Sequence, residues 1–369
     1  MSLPEDRTIL RARRAVALVI AAVSLLWAGV APADGVSARP LPPLEGGISS
    51  LAHGINGRGE VVGYSSDGLA TAVVWDRRGR PNALPPLAGD AQSEAFAINL
   101  RGEIAGVSRG GVSTAVVWNR ADQPVALPPL EGDIESFARA INAKGEVAGF
   151  SIGRGPIGGA ADGIVVTAVM WDRRGAPHAL PPLEGHAESK ALAINTKGEV
   201  AGFSYDPEGD DIAVLWAPRR GSRTPIALLP QAGDSGSEAH AIDRRGRIAG
   251  DSGGVRETTV LWNHEPRAWH SREREVAQTL PPLDGDTDSL AFAINGVGDV
   301  AGVSFGTETE TAVAWDRKGS PKPLPGLPGD SASSARAIND AGQVAGFSAG
   351  DDRHTAVLWH ARGRPRHGR

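Results

Sequence analysis

The chain has 369 residues, 41% of them hydrophobic, so it is long enough to bury a sizeable core. It has no cysteine, which rules out disulfide staples. Its net charge of −5 argues against nucleic acid as a partner, because such binders usually carry a basic patch or stripe. The basic run Arg362, Arg364, Arg366 and Arg369 sits at the chain end, where solvated segments are the rule.

The chain opens with Arg7, Arg11, Arg13 and Arg14, followed by the uncharged stretch Ala15 to Val30 and then Ala31-Pro32-Ala33. A positive region, a short apolar region and an A-x-A site together read as a secretory signal over residues 1–33, cut before Asp34. The apolar stretch is shorter than the roughly 20 residues that span a bilayer. Export to the periplasm or the exterior is therefore expected, with no membrane span after cleavage.

Residues 34–40 read as a short linker and 367–369 as a tail; between them, residues 41–366 repeat one unit of about 44 residues seven times. Each copy runs L-P-P-L, a Gly-Asp step, S-x-A-x-A-I-N-x-x-G-x-V-A-G-x-S, and finally T-A-V-x-W. Trp75, Trp118, Trp171, Trp216, Trp262, Trp315 and Trp359 form one column. Asn56, Asn99, Asn142, Asn195, Asp243, Asn295 and Asn339 form another. A unit of this size cannot bury its own apolar face, so neighbouring copies must pack together.

Within the unit every segment reads as a strand. Thr71-Ala72-Val73-Val74-Trp75 is rich in β-formers. Ser93 to Ile98 ends in Asn99-Leu100-Arg101-Gly102, with Asn and Gly at the first and fourth positions of a type I turn. Asp76-Arg77-Arg78-Gly79 repeats that chemistry after the tryptophan. No helical period occurs, so four short strands per copy are expected. The step from the first Leu of LPPL to the following Ser is constant, whereas lengths vary after the last Ser and after Trp, which marks those segments as loops on a rigid frame.

The chain begins its repeats with a lone LPPL and ends them on a Trp segment. A seven-bladed β-propeller of four-stranded blades would therefore close if Leu41 to Leu44 supplied the last blade's fourth strand. Proline lacks the N–H that a central strand donates, which suits LPPL to the outer edge. An open β-solenoid is the alternative, but it needs capping repeats that the sequence does not contain.

The copies resemble the HAF repeat family, extracellular bacterial proteins built from A-I-N-x-x-G-x-V-x-G-x-S units ending in His-Ala-Phe-x-Trp. The resemblance covers residues 41–361 and departs at the naming tripeptide, where Thr114-Ala115-Val116 and Thr167-Ala168-Val169 stand instead. It implies secretion and a β-repeat fold. It implies no reaction and no catalytic residues.

Gly149-Phe150-Ser151-Ile152-Gly153 fits the G-x-S-x-G nucleophile elbow, and Gly250-Asp251-Ser252-Gly253-Gly254 looks like a serine-protease signature. The same step recurs as Gly106 to Gly110, Gly302 to Gly306 and Gly346 to Gly350, so it reads as part of the scaffold. The histidines make no metal pattern; His264 and His270 lie in the charged insertion 263–279. Asp284-x-Asp286-x-Asp288 lacks the Gly and Glu of a calcium loop. Asp206, Glu208, Asp210 and Asp211 crowd one loop and make a calcium candidate; no other cofactor is implied.

One constellation points to binding. Asp90, Asp133, Asp234, Asp286 and Asp330, with His186 in a sixth copy and Gly47 in the seventh, follow LPPL at the same place. In the propeller they would ring the face that also carries the variable loops. A turn role for these residues competes with the binding role. The favoured expectation is a monomeric, non-enzymatic binding module contacting a glycan or a protein through that face. A polysaccharide hydrolase or lyase working from the central funnel is a second expectation, since paired carboxylates are what glycosidic chemistry needs. An envelope-structural repeat protein is the third.

Overall fold

The computed structural model describes residues 36–157, 160–206, 209–218, 222–254, 256–263, 278–351 and 353–361. The leader, the bulk of the 263–279 insertion with His264 and His270, Glu208 and the terminal arginines lie outside them. The described chain is all β: five antiparallel sheets of four strands and one of eight, the latter being two four-stranded antiparallel blades joined by a single parallel pair, Glu310 with Ala332. No helix among the described residues is long and apolar enough to cross a membrane.

Blade 1 shows how the unit folds. Its strands β2 (Ser49–Ile55), β3 (Val61–Ser66), β4 (Ala70–Trp75) and β5 (Pro81–Leu84) pair in sequence order from the axis outward. Asn56 Oδ1 accepts the N–H groups of Arg58 and Glu60, and Gly59 takes φ +81, which turns β2 into β3. Asp76 makes the equivalent turn from β4 into β5 through the N–H groups of Arg78 and Arg80. Inner strands of adjacent blades touch all the way round, including blade 7 against blade 1. The result is a closed seven-bladed β-propeller.

Closure comes from β1 (Val36–Leu41), which runs antiparallel to His354–Ala361 with Leu41 opposite Ala356 and Val36 opposite Ala361. This is earlier than the expected Leu41 to Leu44, and it draws most of the expected linker into the sheet. The reason recurs in four blades, whose outer strands end at Leu41, Leu84, Leu127 and Leu180. The outer strand ends at the Leu of LPPL, as Pro81–Leu84 does, and the paired prolines lie beyond it because they have no N–H for the ladder.

The repeated residues stitch blade to blade. Each of the seven tryptophans is fully buried, and each lies in a different apolar cluster. Its indole N–H donates to the backbone of the linker entering its own blade, as Trp118 does to Pro85 O at 2.7 Å. The Ser opening each inner strand accepts an N–H from the previous blade, as Ser93 does from Ala72 at 3.0 Å. The same bond closes the ring, from Ala356 N–H to Ser50 Oγ at 3.0 Å.

Each inner strand also carries a β-bulge, seen as a register shift such as that between Ala138 and Ala140. The Gly of the G-x-S step lies against it. A Cβ on Gly149 would sit 1.9 Å from Phe137 O, and the other six equivalents are as tight, at 1.9 to 2.1 Å. The bulge therefore requires glycine there in every blade.

Candidate functional site

The G-x-S step is scaffold, as its recurrence suggested. Its serine accepts a backbone N–H from the LPPL linker, as Ser108 does from Leu87 at 2.9 Å and Ser151 from Leu130 at 3.1 Å. No helix follows, so no nucleophile elbow forms.

The aspartate ring is built on those serines. Asp90, Asp234, Asp286 and Asp330 each accept a hydrogen bond at Oδ2 from the Ser of their own blade, at 2.6 Å in all four. Their backbone N–H groups close the turn out of LPPL, as Asp90 does to Leu87 O. All six acidic or histidine members are half-buried on the face that carries the variable loops. Blades 3 and 4 differ: Ser151 and Ser204 turn to the backbone carbonyls of Glu135 and Glu188. This leaves Asp133 Oδ2 and His186 Nδ1 buried without a hydrogen-bond partner. Asp206 Oδ1 caps its own loop by accepting from Asp210 N–H at 2.8 Å, and Asp211 begins the next strand. Among the described residues no group of acids and histidines is arranged to hold a metal ion.

A second constellation, unmarked in the sequence reading, lies on the axis. The bulge turns one side chain per blade inward: His53, Phe96, Arg139, Leu192, His240, Phe292 and Arg336. These side chains meet across blades. The His53 and Phe96 ring centroids are 5.2 Å apart, and the Arg139 guanidinium lies 4.4 Å over Phe96. On the far side His240 is 5.9 Å from Phe292, and Arg336 lies 4.2 Å over the same ring. A His-Phe-Arg trio thus occurs twice around the axis, separated by Leu192. Two residues earlier in each strand, Leu51, Glu94, Phe137, Lys190, Glu238, Leu290 and Ser334 form a second tier nearer the aspartate face.

The two tiers are joined by charge. Glu94 accepts from His53 Nε2 at 3.0 Å and from Arg109 at 2.9 Å. Burial works to raise the Glu94 pKa, and the hydrogen bond and charge of His53 with those of Arg109 outweigh it, bringing it to about 2. His53 is lowered in turn, chiefly by burial, with Arg336 and Arg139 adding to the effect. In blade 5, His240 Nε2 is 2.5 Å from Asp251 Oδ1 and 3.7 Å from Glu238 Oε2.

Blade 5 departs from the other six in more than that histidine. Asp251 fills a column otherwise held by Tyr64, Val107, Phe150, Phe203, Val303 and Phe347. Thr259, whose Oγ1 is buried without a hydrogen-bond partner, fills a column otherwise held by alanine. The signal was present in the sequence as disagreement at the two x positions of S-x-A-x-A and at the x of G-x-S. Reading the repeat for what its copies share passes over these positions.

No family model and no curated protein matches the chain. Solved structures do. It is similar to a streptogramin B lyase, with TM-score 0.54 and 8% identity over 88% of this chain and 98% of that one. It is similar to YCF48 bound to D1 peptide, with TM-score 0.53 and 14% identity over 89% and 98%. It is also similar to a Mycobacterium tuberculosis puromycin-hydrolyzing peptidase, with TM-score 0.61 and 16% identity over 86% of this chain and 52% of that one. The chain thus spans about half of that peptidase. At these identities the likeness establishes the propeller fold alone.

Proposed function

We propose that the chain is an exported binding module that takes a glycan or a protein where its axis opens on the face ringed by Asp90, Asp133, His186, Asp234, Asp286 and Asp330. One observation carries this reading: the seven copies agree where a residue stitches the ring and disagree where a side chain faces the axis. Tryptophan, the inner-strand Ser and the G-x-S Gly are the same in every blade, whereas the axial positions hold His, Phe, Arg, Leu, Glu, Lys and Ser. A purely structural repeat has no use for that variety, while a composite surface on a repeat scaffold is built from it. The leader supports export, and the aspartate ring frames that opening, four of its members fixed by their serines.

The test is binding of the purified protein to arrays of glycans and peptides, with and without calcium. A saturable hit weakened by a Phe96→Ala and Phe292→Ala double variant supports the axis as the site. A hit untouched by those changes but lost on altering the variable loops moves the site outward, and a blank on both arrays leaves the envelope-structural reading in its place.

The Glu238, His240 and Asp251 cluster favours one further reading, a hydrolase or lyase using His240 as general acid–base from the central funnel. An imidazole held between carboxylates is a common arrangement for moving protons. Chain cleavage in a panel of polysaccharides, abolished by His240→Ala, would support it; binding without cleavage excludes it for that panel.

A further inference from the structure

We infer that the axial wall of blades 2 to 4 binds the carboxylate of an acidic sugar between Arg139 and Lys190. This deepens the proposal above and rests on it. The carboxylates on the axis are already engaged. Glu94 is engaged by His53 and Arg109, and Glu238 and Asp251 face His240. Arg139 and Lys190 have no such partner. Arg139 lies over the Phe96 ring, and Lys190 Nζ is 3.4 Å from the Tyr205 hydroxyl. Among the described residues neither has a carboxylate within ion-pair reach.

Both are half-buried, so they have lost part of their hydration with no opposite charge to offset it. A ligand carboxylate entering there would supply that charge in a medium where the attraction is stronger than in water. The surroundings set the rest of the ligand. Lys190 Nζ stands 5.7 Å from the Phe150 ring, which stacks on Phe137 at 4.9 Å. Phe96 and Phe150 are half-buried, one beside each cation, and offer the apolar faces there. A sugar acid has the matching parts: C–H faces to lie on rings and one carboxylate per residue.

The test uses calorimetry on the full chain with glucuronic acid oligosaccharides, their methyl esters and an oligoglutamate peptide. The acid should bind, with ester and peptide at least about tenfold weaker, and Arg139→Met and Lys190→Met should each weaken the acid about tenfold without changing the ester. Thermal midpoints establish that the variants fold; where a methionine variant does not, Arg139→Gln or Lys190→Gln is read in its place. Equal affinity for acid and ester, preference for the peptide, or unchanged affinity in folded variants overturns the inference. So does no acid binding while another array ligand saturates, which leaves the binding-module proposal standing. A blank on every array overturns both.

Discussion

Asn339 Nδ2 donates to the backbone carbonyl of Asn56 at 3.0 Å, joining two residues 283 positions apart. The same bond runs from Asn56 to Asn99, Asn99 to Asn142, Asn142 to Asn195, Asn195 to Asp243 and Asn295 to Asn339. The repeated asparagine is therefore both a turn-former in its own blade and a strap to the next. The belt is interrupted at Asp243, whose side chain has no N–H to donate and instead accepts from Arg247 Nε at 2.8 Å.

Asn339→Asp should separate the two roles. The aspartate keeps an oxygen for the N–H groups of Ala341 and Gln343, but it cannot donate to Asn56 O or, within its own turn, to Gln343 Oε1. Losing a buried partner costs about 1–3 kcal/mol, so a fall of that size in unfolding free energy, read as a lowered urea midpoint, is expected. An unchanged midpoint would mean that the strap contributes nothing to closure.

Gly149→Ala should be among the most damaging single changes, because its Cβ would fall 1.9 Å from Phe137 O and only the backbone can move aside. A loss of at least about 3 kcal/mol is expected, as for other forced backbone clashes. Gly111 is the control, with nothing within 4 Å of the added Cβ. Gly111→Ala should stay within about 0.5 kcal/mol of the parent. Comparable losses at both sites would remove the bulge from the explanation.

The scaffold was legible in the sequence because its chemistry repeats: the Asn turn, the buried Trp and the G-x-S step each recur until chance is excluded. The closing strand was harder. Val36 to Pro40 share no motif with Pro81–Leu84, since an outer strand is chosen by backbone pairing and leaves most of its side chains outside the core. The axial site was hidden for the opposite reason. His53, Arg139 and His240 occupy positions that a consensus discards, and only the bulge geometry shows that these positions face one another.

Acid should weaken the fold through blades 1 and 2. Glu94 sits at about 2 when folded against an ordinary 4.5, so the unfolded chain takes up its proton first as pH falls. Its contribution is full above about 4.5 and is lost towards 2. His53 is lowered below 6.5, so the unfolded chain also protonates first there, and stability declines as pH drops from 6.5 towards the folded value. Urea midpoints from about pH 7.5 to about pH 3 should fall steadily, with His53→Gln flattening the upper part and Glu94→Gln the lower. Parallel curves for parent and variants would contradict this.

Asp90 and Asp133 occupy equivalent places with different bonding, which makes them a matched pair. Asp90→Ala removes the partner of Ser108 and should cost about 1–2 kcal/mol. Asp133→Ala removes a carboxylate whose Oδ2 has no hydrogen-bond partner and should cost clearly less. Equal losses in thermal unfolding would show that the turn, rather than the Ser–Asp bond, fixes these residues.

The closing strand gives the last test. Leu41 is fully buried in the cluster around Trp75, and Val36 is packed in the cluster around Trp359. A chain beginning at Pro42 would lose both contacts and leave the edge of His354–Ala361 unpaired. An exposed edge strand is a template for pairing with another chain, so this truncation should associate with itself as concentration rises. A chain beginning at Asp34 keeps the strand and should remain a single species. Sedimentation of the two at matched concentrations decides the matter: if both stay monomeric and melt together, the ring does not depend on β1 for its closure.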